Sequence, residues 1–259
     1  MSNKYPHSYI LTLSFLGFRY HGWQKQEGVK TVQKMLERTI NFIIDQDFKT
    51  LGAGRTDKMV SALDYKCELF TTTALPDDFL TLLKQNLPKD IRALGLKKKT
   101  TDFNIIQDIQ AKEYRYYFTQ KILEHPFLSP YITEVSKELD FDLIEHGLKA
   151  FEGNNNYTSF SKSKAPLDEN KRQILSAKLL KNQNLPWGIE FDFPVYCFQF
   201  ISKGFMRYQV RFMTQALFAL GEQKINLTEI QNQLKNPTHR LTKKAPASGL
   251  VLYKTSLCE

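Results

Sequence analysis

Residues 51–63 read LGAGRTDKMVSAL and set one carboxylate, Asp57, in a Gly-rich bend beside Arg55. A carboxylate held in a pocket can act as a nucleophile toward a sugar carbon or a base. An Asp after a Gly-rich turn more often only caps local backbone. The stretch has neither the G-x-x-x-x-G-K-[ST] pattern of a P-loop nor the third glycine of a dinucleotide fingerprint, so it is not a phosphate cradle of either kind. A second group with chemical potential is the pair Arg207 and Arg211 in MRYQVRFM. Read as one helix, the two share a face, and like charges four apart repel unless an anion meets them, although solvated arginines with their stems along the surface are common. Arg211 lies between Val210 and Phe212, where an unpaired charge would be costly to bury, so a partner is expected, either phosphate or Asp57. In EYRYYF, residues 113–118, a strand puts Tyr114, Tyr116 and Phe118 on one face and Glu113, Arg115 and Tyr117 on the other. Such a row serves core packing or offers a ring on which a base can stack.

These residues need elements to carry them. YILTLSF (9–15) alternates as a half-buried strand, and Val29, Val32, Leu36, Ile40 and Ile43 recur as the apolar stripe of a helix. After the Asp57 loop come a strand near 64–71, a helix from Asp77 or Asp78 to the residues before Pro88, and a strand IRALGL, with the lysine run and TTDFN as a link. The second half opens with strand KEYRYYFT and a helix over 141–151 that stops before Gly153. Strands RQILSAKLL and WGIEFDFPVYCFQF follow, separated by the turn-forming NQNLP. GFMRYQVRFMTQALFALGE then forms the clearest helix, stopped at Gly221, before a short helix ahead of Pro237 and a final strand GLVLYKTSL. Without strict strand–helix alternation the class is α+β, largely antiparallel, with a boundary near residue 106 separating halves 1–106 and 107–259.

The 259 residues, 42% hydrophobic and 13% aromatic, can bury one large core or two modest ones. Three scattered cysteines, Cys67, Cys197 and Cys258, lack C-x-x-C spacing, which argues against a disulfide framework and against a zinc site. The N-terminus has no signal-peptide core, and no apolar run approaches the roughly 18 residues that span a bilayer. A cytoplasmic protein with no membrane association is therefore expected. The net charge of +9, with basic clusters at 96–99, 161–164, 171–172 and 239–244, suits a long polyanion better than a small anionic substrate.

The motifs, taken in order, resemble those of the TruA family of pseudouridine synthases. GFRYHGWQKQEGVKTVQKMLE (17–37) is similar to the family's first motif, and GRTDKMVSAL (54–63) to the segment that carries its nucleophile. EYRYYF resembles the strand with the active-site tyrosine, NYTSFS (156–161) a loop near the cleft, FMRYQVRFMTQAL (205–217) the helix with an essential arginine, and APASGLVLYKTSL (245–257) the closing strand. The resemblance implies two similar mixed halves whose sheets join into one extended sheet around a basic central cleft. It also implies a homodimer on tRNA that converts uridine to pseudouridine in the anticodon stem-loop without cofactor or metal. By the same resemblance Asp57 is the nucleophile, Tyr114 packs on the target base, Arg211 pairs with the aspartate, and Arg55 helps displace the base. These three, Asp57, Tyr114 and Arg211, are expected to meet in one cleft. Opposite charge lowers a carboxylate's pKa, so Arg211 would keep a buried Asp57 ionised. RNA contact is expected from Arg19, Tyr20, Gln24, Lys58, Lys162, Lys164 and Arg207.

Three residues depart from the family pattern. Met59 stands where a Gly is usual, Leu16 where an Asp is usual before Gly17, and Ile106 where a basic side chain is usual ahead of the tyrosine strand. If the usual Gly takes positive φ, Met59 carries strain of about 1 kcal/mol or more. Two other functions are compatible with the residues. One is an RNA-binding paralogue without catalysis, motivated by Met59 and Ile106; the other is a nucleoside hydrolase that uses Asp57 and releases free base.

Overall fold

The computed structural model describes residues 4–99, 103–124, 126–162, 166–185, 188 and 190–258. Lys164, part of the TTDFN link and the start of the WGIEFDF segment lie outside them. The described residues form a mixed α+β structure with ten strands and five α-helices. The chain divides into two compact units, Met1–Gln110 with Leu252–Glu259, and Ala111–Val251.

In the first unit β1 (His7–Phe15), β3 (Ser61–Thr71) and β4 (Ile91–Lys99) form an antiparallel sheet with β1 in the middle, and β2 (Phe48–Gly52) pairs with β3. The alternation read in YILTLSF is real: Leu11 and Leu13 are fully buried, and so are Tyr65, Cys67 and Leu69 of β3. Helices α1 (Val32–Ile43) and α2 (Phe79–Asn86) pack on each other. Helix α1 starts where Thr31 accepts from the Lys34 N–H, which satisfies one of the donors that every helix start leaves unpaired. Its buried stripe is Val32, Leu36, Thr39 and Ile40. The last strand, β10 (Leu250–Leu257), brings Leu257 onto Ala53, Ile105 and Ile109, and its Thr255 N–H donates to Asp64 Oδ2 at 3.1 Å.

In the second unit β5 (Ile109–Thr119), β9 (Tyr196–Ser202), β8 (Lys171–Leu180) and β7 (Gly153–Asn156) pair antiparallel in that order, and β6 (Thr133–Glu134) runs parallel to β5. The strand expected from Trp187 shrinks to β9, because Pro194 has no N–H to give a ladder; its carbonyl accepts instead from the Thr119 hydroxyl at 2.8 Å. Helix α3 (Phe141–Phe151) packs on α4 (Gln209–Gly221) and α5 (Leu227–Lys235). Gly147 permits the α3–α4 approach, since a Cβ there would lie 2.5 Å from Leu220 Cδ2. The sheet meets α4 through rings, with Phe118 at 4.6 Å from Phe198 and 5.0 Å from Phe218, centroid to centroid.

Among the described residues no helix is long and apolar enough to cross a membrane. Cys67 and Cys197 are buried and Cys258 is exposed. Burial pushes the Cys197 thiol up to about 12 and Cys67 higher still, so neither forms thiolate near neutrality. A thiol titration of the native protein should therefore count one fast-reacting cysteine, rising to three in denaturant. Three fast thiols under native conditions would contradict this packing.

Candidate active site

The GAGRTD bend is pinned at both ends by the first unit. Ala53 N–H donates to Lys66 O at 2.9 Å, and the Tyr65 hydroxyl reaches back to Gly54 O at 2.5 Å. Trp23, buried with its ring tilted 32° to that of Tyr65 at 4.2 Å, gives its backbone N–H to Thr56 O at 3.3 Å. Immediately downstream, Val60 N–H donates to Asp57 O at 3.1 Å, closing a turn with Lys58 and Met59 at its centre. Met59 N–H donates to Tyr20 O at 3.0 Å. The peptide backbone on both sides of Asp57 is thus held by segment 20–23, while the side chain stays half-exposed, with Arg55 and Lys58 exposed beside it.

Three residues explain how that segment comes so close. Gly22 has φ +88, and a Cβ there would lie 2.4 Å from Thr56 O. A Cβ on Gly17 would strike Val60 O, while Gly17 N–H donates to the Ser61 hydroxyl at 2.9 Å. Tyr20 is 1% exposed; its hydroxyl donates to Asp90 Oδ1 at 2.5 Å, Arg19 lies 3.6 Å from Asp90 Oδ2, and Lys30 Nζ sits 4.8 Å from its ring centroid. Burial, then the Asp90 bond, raise the Tyr20 pKa, so the phenol stays a donor. Its ring packs inside, whereas Arg19 and Gln24 face solvent.

Met59 has φ 68, the left-handed conformation that favours glycine. The third position of such a turn demands positive φ, and for a side chain this costs about 1–2 kcal/mol. The departure noted in the sequence is therefore accommodated by strain, offset in part by the N–H bond to Tyr20. Ile106, the other departure, is 58% exposed.

In the second unit Tyr114, half-buried on β5, pairs in register with Phe200 and meets the Phe205 ring edge-on at 5.2 Å and 88°. Arg211 is 8% exposed on α4, with Nε donating to Ala245 O at 2.8 Å. The helix read through Arg207 in fact begins at Gln209, because Tyr208 takes φ 62 and ends the helical register there. Arg207 and Arg211 do not share a helical face. They are joined by the Tyr208 ring, whose centroid lies 4.9 Å from one guanidinium carbon and 5.5 Å from the other. Lys244 Nζ, 4.7 Å away, joins the same ring and went unnoticed in the sequence except as part of HRLTKK. Lys162 is exposed, and its N–H donates to Arg207 O at 3.0 Å. The structure therefore gathers Arg207, Arg211, Lys162 and Lys244 near Tyr208, and sets Asp57 with Arg55 and Lys58 on the turn held by Tyr20 and Gly22.

An α+β chain with a rigidly presented carboxylate and a basic, aromatic helix start suits an enzyme that works on a polyanion. Residues 148–256 match the family model described as tRNA pseudouridine synthase. The chain is 32% identical over 248 residues to tRNA pseudouridine synthase A of Aster yellows witches'-broom phytoplasma, covering 95% of this chain and 97% of that protein. It is 28% identical over 253 residues to the protein of that name from Aquifex aeolicus, covering 96% and 99%. The Mesoplasma florum protein of that name is 32% identical over 253 residues, covering 95% and 97%. The chain belongs to the tRNA pseudouridine synthase family, and it is accordingly an isomerase.

Changes at the turn should separate strain from clash. Met59→Gly should leave the urea midpoint unchanged or slightly higher, because relief of strain is opposed by glycine's unfolded-state entropy. Met59→Val, β-branched at the same φ, should lower stability by about 1 kcal/mol or more. Gly22→Ala should cost about 1–3 kcal/mol by driving a Cβ into the Thr56 carbonyl. Equal midpoints for all three would overturn the described backbone.

Proposed function

We propose that this chain converts uridine to pseudouridine in the anticodon stem-loop of tRNA, with Asp57 as the nucleophile. The observation that carries the proposal is the Asp57 turn. Backbone bonds fix the chain on both sides of a half-exposed carboxylate, and the turn persists at Met59 despite the strain. This retention supports the enzymatic reading over that of an RNA-binding paralogue without catalysis.

In the reaction the C1′–N1 glycosidic bond breaks, the base turns, and C1′ bonds to C5. C5 gives up its proton and N1 gains one, so substrate and product have the same composition. Asp57 attacks C1′ of the ribose or C6 of the base, and the resulting ester or adduct holds one partner while the base reorients. Tyr114 offers its ring to the extruded uracil, offsetting part of the roughly few kcal/mol that unstacking costs. Arg211 supplies the positive charge that keeps a carboxylate ionised away from water. Arg55 fills the space the base leaves. Exposed Arg19, Gln24, Lys58, Lys162 and Arg207, with Lys164, contact the RNA, while Tyr20 acts through the turn it supports. The enzyme works as a homodimer in the cytoplasm.

Asp57→Asn tests this directly. On a tRNA transcript the variant should lose pseudouridine formation by a factor on the order of 10⁴ or more while retaining RNA affinity. An active Asp57→Asn protein would remove the nucleophile assignment. Mapping pseudouridine in cellular tRNA with and without the protein should show anticodon-arm sites that depend on it. Unchanged sites would favour a pure binder, and release of free uracil would favour a hydrolase.

A further inference from the structure

Three cations converge on one ring at the start of α4. Arg207 and Lys244 are exposed, Arg211 is buried, and all three lie within 5.5 Å of the Tyr208 centroid. The Arg207 guanidinium also donates to the Tyr208 hydroxyl at 3.1 Å. Beside them, Arg240 stacks 5.5 Å from the Phe212 ring and donates to Ser161 O at 3.2 Å. The first turn of α4 contains no acidic residue. Among the described residues no carboxylate forms a salt bridge with Arg207, Lys244 or Arg240.

A tyrosine face attracts cations through its quadrupole but cancels none of their charge. Gathering like charges on one ring is therefore favourable only in part, and the exposed pair Arg207 and Lys244 is suited to meet an anion from outside. The donors are a guanidinium fork and an ammonium, which suit a tetrahedral anion with several acceptor oxygens. Arg207 and Lys244 lie open at the surface, as fits a phosphate that belongs to a long chain. The backbone conformation also contributes, since φ 62 at Tyr208 turns the chain between Arg207 and α4 and so brings both onto the ring.

We propose that Arg207 and Lys244, gathered on the Tyr208 ring, form a phosphate subsite that holds a backbone phosphodiester of the RNA substrate. This rests on the RNA-modifying reading above and adds to it a particular contact. Arg207 follows Phe205 by two residues, and Phe205 touches Tyr114, so the subsite takes a phosphate of the nucleotide whose base Tyr114 receives, or of its neighbour.

The test uses the full chain and a tRNA anticodon-arm transcript, with affinity measured over a salt series. Arg207→Gln and Lys244→Gln should each weaken binding and lower the slope of log K against log salt by about one, and the double variant by about two. Lys149→Gln, an exposed lysine on α3 paired with Glu152, serves as the control and should leave the slope unchanged. Circular dichroism of each variant should match the parent. Parent-like affinity and slope in the double variant would overturn the subsite, and with it the Arg207 contact to RNA, while leaving the proposed reaction and its Asp57 nucleophile standing. Failure of the parent chain to bind the transcript would overturn both. Because binding is read without turnover, an active Asp57→Asn protein would sink the nucleophile assignment and leave the subsite untouched.

Discussion

The candidate active site hangs on the grip that residues 20–23 take on the backbone around Asp57. Trp23 N–H to Thr56 O and Met59 N–H to Tyr20 O are two ordinary peptide hydrogen bonds. Each contributes a net of about 0.5–1.5 kcal/mol, but a greater consequence is geometric. They hold the turn at both ends, so the direction in which the Asp57 side chain leaves the backbone is fixed by peptide planes. Gly22 lets the strands of that grip touch, and Tyr20, anchored on Asp90, keeps the gripping segment in place. A carboxylate whose backbone is held in this way has less freedom to lose when a ligand arrives.

Much of this was legible from residue order. Apolar periodicity located α1 and β1 because each buries one face, and burial is what a period of two or 3.6 records; α3, β3 and β8 were placed from their ranges and flanking stop or turn signals. Met59 was readable only as a departure from the family pattern, and the close approaches made by Gly22 and by the Met59 N–H were not readable at all. Their importance comes from close approach between segments about 35 residues apart, which no local window contains. The start of α4 misled for a related reason. The stripe of Met206, Val210 and Met213 continues the helical period through Tyr208, yet the backbone turns left-handed there. Periodicity records which side chains are buried, not the sign of φ. Lys244 was visible only as charge, because its meeting with Arg207 depends on how segment 239–245 folds back along α4, fixed by Ala245 N–H donating to Arg211 O.

Among the described residues four non-glycine positions have positive φ: Met59, Asn182, Tyr208 and Gln223. Asn182 lies in an ordinary turn and Gln223 just past the end of α4, places where such backbone is common. Met59 and Tyr208 are different. One stands two residues after the carboxylate and the other three before the buried arginine. Strained backbone persists only where its surroundings over-determine it, and at both positions it redirects the chain within a residue or two. What is gained is a change of direction too abrupt for helix or strand, made next to groups whose aim matters.

Strand β10 returns the chain to the unit in which it started. Residues Leu252–Glu259 belong to the first unit, where Leu257 packs on Ala53, Ile105 and Ile109 and Thr255 bonds to Asp64. The second unit, Ala111–Val251, is continuous in sequence. The first unit is therefore split in sequence, its two segments lying on either side of the second. The backbone that leads into the GRTD bend at Ala53 thus leans on a side chain about 200 residues away, so the bend is buttressed by a contact that only the folded chain can make.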